Sequence, residues 1–233
     1  MKTGNGRSAP SSGTAGSVGG TVARSGARVS KQSTLRQYAS SLAVAILMAL
    51  VFRQFAFQAF RIPSSSMEST LLVGDFLFVN KFLYGAQIPF TSLRLPKLRA
   101  PRYGDILVFK APHDGRDFIK RCVAVAGDTL QVKAKQLYVN GKPLHETFVQ
   151  FTDDAVRPPG SDPRDFFGPE VIPPDHVFMM GDNRDNSMDS RYWGMLPVQL
   201  IKGKAEIIYF SVDTQKGFFP PHLRLSRIGR LIH

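Results

Sequence analysis

The sequence predicts a mainly β fold, an antiparallel sheet or barrel-like arrangement preceded by one apolar N-terminal helix. Three observations carry this expectation. After residue 60, short apolar runs alternate with Gly, Pro and Asp breakers, which is the length and punctuation of strands. No strand–helix–strand alternation follows, so there are no crossover helices to support a parallel sheet. Before residue 60, Tyr38–Phe52 (YASSLAVAILMALVF) is apolar or small throughout.

Residues 1–37 are rich in Gly, Ser, Thr and Ala and almost free of large apolar side chains. Such a segment cannot bury enough surface to offset the entropy of ordering, so a disordered basic tail is expected. The run from Tyr38 to Phe52 would span about 22 Å as a helix, and continuation to Phe60 gives about 34 Å, enough for a hydrocarbon core of ~30 Å. A transmembrane anchor over 38–60 is therefore expected, with Arg53, Gln54 and Gln58 snorkelling at one end. A buried core helix, a cleaved signal peptide and an organellar transit peptide remain open. The acid-free basic flank favours an anchor with its N-terminus cytoplasmic. Ala56 and Ala59 have A-x-x-A rather than A-x-A spacing, which argues against cleavage after the run. With the tail inside, residues 61–233 form a domain on the outer side.

Strands are expected over Asp75–Val79, Asp105–Phe109, Phe118–Val125, Thr129–Val132, Gln136–Val139, His176–Met180 and Lys204–Phe210. Asn140-Gly141 between strand-like flanks predicts a two-residue hairpin. Asp153–Pro174 is crowded with Pro, Gly and Asp and reads as a surface loop or insertion. Arg224, Arg227 and Arg230 lie three apart in the C-terminal LRLSRIGRLIH, which suits either an anionic membrane surface or docking of the tail onto the domain. Ile88, Pro89, Phe90, Leu93 and Leu95 form a second candidate for membrane contact.

Charge and cysteine content exclude several classes. The chain has 233 residues, 30 Lys+Arg, 18 Asp+Glu, a net charge of +12 and one cysteine. Residues 1–60 hold seven of the basic residues (Lys2, Arg7, Arg24, Arg28, Lys31, Arg36, Arg53) and no acid, the first being Glu68, which leaves 23 basic and 18 acidic residues for the rest. A nucleic-acid-binding domain concentrates its charge on a folded face; here the excess flanks an apolar segment and points to a membrane. One cysteine excludes an intrachain disulfide framework and a Cys-rich zinc module. Dinucleotide, Walker A, H-E-x-x-H and G-x-S-x-G motifs are all absent, and the five histidines lack metal-ligand spacing. No cofactor and no metal are expected.

Three segments stand out for chemistry. Ile62–Leu71 (IPSSSMESTL) is a serine cluster bounded by apolar residues and so differs from a flexible Ser-rich linker. Lys120 lies in an otherwise apolar strand, whose alternation sends Phe118, Lys120 and Cys122 to one face and Ile119, Arg121 and Val123 to the other. A lysine facing inward would be desolvated, its pKa lowered, and the neutral amine could serve as general base for a serine hydroxyl. Otherwise it is an ordinary solvent-facing strand lysine. Gly181–Gly194 (GDNRDNSMDSRYWG) mixes two arginines with three aspartates, suited to internal ion pairing. It lacks the ligand arrangement of an EF-hand loop.

Together these segments resemble the bacterial type I signal peptidases, membrane-anchored Ser-Lys leader peptidases, over roughly residues 38–233. The resemblance rests on PSSSMESTLLVGDFLFVNKFLYG (63–85), GDILVFK (104–110), FIKRCVAVAGD (118–128), GDNRDNSMDSRYWG (181–194) and LRLSRIG (223–229), in that order. It implies the signal-peptidase catalytic fold and cleavage of N-terminal signal peptides at Ala-x-Ala sites of secreted precursors. It makes Ser66 the nucleophile and Lys120 the base. Ser64 and the Ser66 amide become the oxyanion donors, a contribution of about 3–4 kcal/mol per donor. Ser187 would hydrogen-bond and orient the lysine. Asp182 with Arg121, and Asp189 with Arg191, become bracing pairs. Phe60, Ile62, Met67, Leu71, Val108, Phe118 and Ile119 match the substrate-pocket positions. Implied partners are secretory precursors and membrane phospholipid, without nucleic acid or metal, and the implied location is single-pass in the cytoplasmic (inner) membrane.

The sequence departs from the family at Ser69, where proline is usual, and at Ser65, where many relatives have glycine. Two other readings keep part of the resemblance. One is a specialised Ser-Lys processing peptidase of the conjugation-pilin or thylakoid type; the other is a catalytically silent membrane-anchored scaffold.

Overall fold

The computed structural model describes residues 31–85, 93, 96–213 and 222–233. The tail over residues 1–30 and the loop residues Ile88, Pro89, Phe90 and Leu95 lie outside the described residues. Two units are distinguished along the chain, residues 1–44 and 45–233. Helix α1 covers Lys31–Ala56, and its Tyr38, Leu42, Val44, Leu47 and Met48 side chains are exposed. Among the described residues no helix is long and apolar enough to cross a membrane.

The helix does not continue to Phe60. Phe57–Arg61 is strand β1, in antiparallel register with β2 (Asp75–Asn80) from Phe57↔Asn80 to Arg61↔Phe76. Backbone groups at 57–61 gain ladder partners in β2, and an apolar sequence serves either conformation.

The remaining strands are β3 (Ile106–Lys110), β4 (Asp117–Val125), β5 (Thr129–Lys133), β6 (Gln136–Val139), β7 (Lys142–Pro143), β8 (Phe167–Val171), β9 (His176–Met180), β10 (Leu196–Pro197), β11 (Ile201–Asp213) and β12 (His222–Leu223). A short helix, α2, covers Ser190–Trp193. The large sheet runs β1-β2-β11-β3-β4-β9-β10, with β12 on β11, and the small sheet runs β7-β6-β5-β8. All pairings between the named strands are antiparallel.

Asn140 and Gly141 form the expected turn, with φ of 53° and 75° and Val139 paired to Lys142, the signs of a type I′ hairpin. The Asp153–Pro174 segment is only partly loop. It contains β8, paired to β5, and two of the least exposed charged residues, Arg164 and Asp165. Their mutual pairing allows a Pro- and Gly-rich stretch to be ordered with few apolar anchors.

Three apolar clusters hold the second unit. Ile62, Met67, Leu71, Leu77, Val79, Ile106, Val108, Ile119, Ala205, Ile208 and Ile232 form the first. Leu107, Phe109, Cys122, Val177, Met179, Leu196 and Ile201 belong to the second. The third joins the sheets through Val123, Phe178 and Met180 of the large one and Leu130, Val132 and Leu137 of the small one. Near the C-terminus Arg227 pairs with buried Asp75 at 2.6 Å, and Arg224 donates to the Val73 carbonyl at 2.9 Å. For Arg224 and Arg227 the structure therefore shows docking onto the domain.

Candidate active site

The segment after β1 turns sharply. Ser65–Met67 is a single 3-10 turn whose backbone closes through Glu68 N donating to Ser65 O at 3.0 Å. Ser65 has no positive φ, so a side chain is tolerated where relatives carry glycine. Ser69 has a φ of 89°, a value proline cannot adopt, and its hydroxyl bonds the Phe148 carbonyl. Met67 and Leu71 on either side of this stretch are buried in the first apolar cluster, fixing where the turn sits.

The turn faces the middle of β4. Lys120 Nζ lies 2.5 Å from Ser66 Oγ and 5.6 Å from the centre of the Phe118 ring. Lys120 is 4% exposed. Burial is the main influence on its amine, whose pKa is lowered from 10.5 to about 8; the charges of Asp189 and Asp182 oppose the shift and Arg191 adds to it. Ser64 Oγ is 3.5 Å from Ser66 Oγ. Cys122, two residues along β4, is fully buried, and burial pushes its thiol up to about 12.

The neighbouring Arg121 diverges from Lys120 and forks onto Asp182. Nε and Nη2 each donate at 2.8 Å, and Nη1 reaches the Gly104 and His233 carbonyls. Thr70 Oγ1 donates to the same carboxylate at 2.6 Å. Asp189 and Arg191 form a second buried fork, at 2.9 and 2.8 Å. Burial raises the Asp189 pKa, but Arg191 and the Gly181 amide outweigh it and hold the acid below the usual carboxylate range.

The loop between β9 and α2 grips the Ser65–Met67 turn directly. Asn183 N donates to Ser66 O at 3.2 Å, Asn183 Nδ2 to Ser65 O at 3.3 Å, and Asn186 Nδ2 to Ser65 Oγ at 2.8 Å. At Gly181 any Cβ would collide with the Ser66 carbonyl and the Ser187 hydroxyl, so glycine is required by close approach. The roles of Asn183, Asn186, Thr70 and Gly181 escape sequence reasoning, although all four lie inside the two polar segments that carry the family resemblance.

Ser187 is buried against Gly181, on the side where the Ser66 carbonyl also approaches. Its hydroxyl forms no hydrogen bond to Lys120 among the described residues; it lies toward Asp189 and helps hold that acid ionised. Of the seven residues matched to substrate pockets, Ile62, Met67, Leu71, Val108 and Ile119 share one cluster with Phe60 packed against it. Phe118 belongs to the adjacent cluster, its ring 6.3 Å from Phe109. Among the described residues no three His, Cys, Asp or Glu side chains converge as metal ligands.

An antiparallel β scaffold holding a serine hydroxyl against a buried amine is the framework of a serine peptidase. The family model for signal peptidase, peptidase S26, matches residues 35–210. Signal peptidase I of Pseudomonas aeruginosa is 36% identical, covering 88% of this chain and 82% of its own length. The Aquifex aeolicus enzyme of the same name is 34% identical over 76% and 85%. A crystal structure of a signal peptidase I from Enterococcus faecalis V583 is 26% identical, covering 46% of this chain and 98% of its own, with a TM-score of 0.39. The chain belongs to the signal peptidase family, peptidase S26.

Proposed function

We propose that this chain removes signal peptides from secretory precursors with Ser66 as nucleophile and Lys120 as general base. The observation that carries the assignment is the 2.5 Å approach of Lys120 Nζ to Ser66 Oγ in a buried site. A neutral amine takes the Ser66 proton as the hydroxyl oxygen attacks the scissile carbonyl, then returns it to the leaving amine. The Ser66 amide and Ser64 hydroxyl receive the developing oxyanion. Water then cleaves the acyl-enzyme, with Lys120 again the base.

Among the described residues two unpaired strand edges flank the dyad and suit an extended substrate. β1 is an edge strand, and Asp117–Lys120 of β4 pair with β3 but lie beyond the end of the β9 ladder. A peptide added between them would alternate its side chains onto the wall formed by Ile62, Met67, Leu71, Val108 and Ile119, with Phe60 and Phe118 at its margins. An apolar wall this tightly packed leaves methyl-sized space at most and would reject large residues by overpacking, which fits an Ala-x-Ala preference.

We infer attachment to the cytoplasmic membrane with the N-terminus inside, supported by the acid-free basic flank and the apolar, exposed α1. An aromatic face on β2 and β11 is a second contact for phospholipid. Phe78 stacks on Tyr209 at 4.3 Å, Phe76 meets Phe210 at 5.7 Å, and Arg61 lies 5.8 Å from the Phe76 ring. The test of the peptidase assignment is incubation of wild type, Ser66→Ala and Lys120→Ala with a secretory precursor, followed by product mass determination. Wild type yields the mature protein cut after Ala-x-Ala; full activity in either folded variant would refute the dyad.

A further inference from the structure

Behind the dyad lies a second layer of buried charge, supplied by a segment whose composition reads as surface loop. Arg164 and Asp165 are 2% and 1% exposed. Arg164 forks onto Asp165 through Nε and Nη2, both at 2.8 Å, and also donates to the Asp153 carboxylate at 2.9 Å and the Ala155 carbonyl at 3.0 Å. Asp165 in turn accepts the Arg157 amide at 2.8 Å, and its carbonyl accepts the Lys135 amide. With its guanidinium fully engaged, Arg164 presents its own carbonyl oxygen at a fixed point. Arg191 Nη1 donates to that oxygen at 2.7 Å, while Arg191 Nη2 donates to Arg184 O at 2.7 Å.

These bonds hold the guanidinium that pairs with Asp189. Other ties run alongside: Thr152 N and Asp153 N donate to Asp185 Oδ2, both at 2.9 Å, and Tyr192 Oη donates to Asp162 at 2.8 Å. Hydrogen bonds therefore run from Arg164 through Arg191 to Asp189, whose charge acts on Lys120 through space. The charges that act on Lys120 are those of Asp189, Asp182 and Arg191, and Asp182 is independently held by Arg121 and Thr70.

We propose that Arg164 is a positioning residue for the peptidase reaction, acting through Arg191 and Asp189 to set the proton affinity of Lys120. The inference rests on the Ser66–Lys120 assignment. Without Arg164, buried Asp165 loses its counter-charge, the carbonyl that orients Arg191 shifts, and Asp189 becomes less compensated. A freer carboxylate, or water admitted beside Lys120, each raise the lysine pKa.

The experiment compares the pH profile of kcat/KM for an Ala-x-Ala peptide in the full chain, as wild type, Arg164→Gln, Arg164→Lys and Tyr192→Phe, with melting temperature recorded for each. Arg164→Gln is expected to move the acid limb up by about 0.5–1 pH unit, the size of partly uncovering one neighbouring carboxylate. That is a roughly 3–10-fold loss at pH 7. Arg164→Lys, which restores charge but not the fork, moves the limb back toward wild type. Tyr192→Phe shifts it in the same direction by less. A lower melting temperature with an unmoved limb overturns the inference, because a merely structural residue would behave that way. Should Arg164→Gln not fold, an unmoved limb in Tyr192→Phe overturns it. A Lys120→Ala enzyme that still cleaves refutes the dyad assignment instead, so the two failures are distinguishable.

Discussion

The acid limb of cleavage is the sharpest consequence of burying Lys120. An amine at about 8 is roughly one-quarter neutral at pH 7.5, against about 0.1% for a lysine at its ordinary value, an enrichment of about 200-fold in competent base. At pH 6 the neutral fraction is about 1%, so kcat/KM should fall by roughly 25-fold between pH 7.5 and 6, approaching unit slope. The perturbation is pH alone, and Asp189, the acid whose charge acts most on the amine, is held below the usual carboxylate range by Arg191 and so stays ionised over these pH values. The assay is initial-rate cleavage of a peptide bearing Ala-x-Ala, with substrate well below KM. A flat profile from pH 6 to 8 would show that the amine is not the titrating base. A limb centred near 10.5 would show that Lys120 is solvated, and either result refutes the reasoning.

Two further outcomes follow from the same geometry. Since the folded-state pKa of Lys120 is below its unfolded value, the native state binds fewer protons between pH 8 and 10.5, and the lysine destabilises the fold fully below pH 8. Lys120→Met should therefore stabilise the protein at pH 7 by about 2–3 kcal/mol, with the gain disappearing toward pH 10.5; urea unfolding at both pH values measures this, and destabilisation at pH 7 contradicts it. Gly181→Ala forces the Ser66 carbonyl or the Ser187 hydroxyl to move, and misplacing the nucleophile by about 1 Å costs on the order of 100-fold in kcat. Circular dichroism should show an intact sheet, and wild-type activity would mean the approach at Gly181 is looser than described.

Much of the large sheet is legible because its strands are short, apolar and bounded by breakers. β4 is the clearest case, since strand alternation alone is enough to send Lys120 and Arg121 to opposite faces. β1 is hidden because it directly follows an apolar helix, and apolar content does not distinguish the two conformations. β8 is hidden for the opposite reason: its residues are mostly exposed and the segment is ordered by Arg164 and Asp165, whose pairing leaves no periodic signal. The turn joining β5 to β6 uses Ala134 and Lys135 at φ of 47° and 70°, positions where Asn-Gly would have announced it. At the site, composition alone supports a serine cluster and an unusual strand lysine. Bringing them together needed the order of five segments along the chain. The bond expected from Ser187 to Lys120 depends on where a hydroxyl rotor and loop settle, which no sequence pattern specifies.

Cys122 has a use apart from catalysis. It is the only cysteine in the chain, it is buried in β4 with Met179 of β9 as its ladder partner, and its thiol is far from ionised at neutral pH. A thiol reagent can reach it only when that part of the sheet separates, so the labelling rate counts openings of the sheet per unit time. Lys120 sits two residues away on the same strand. The same count therefore times how long the base stays out of bulk water, with no probe engineered into the chain.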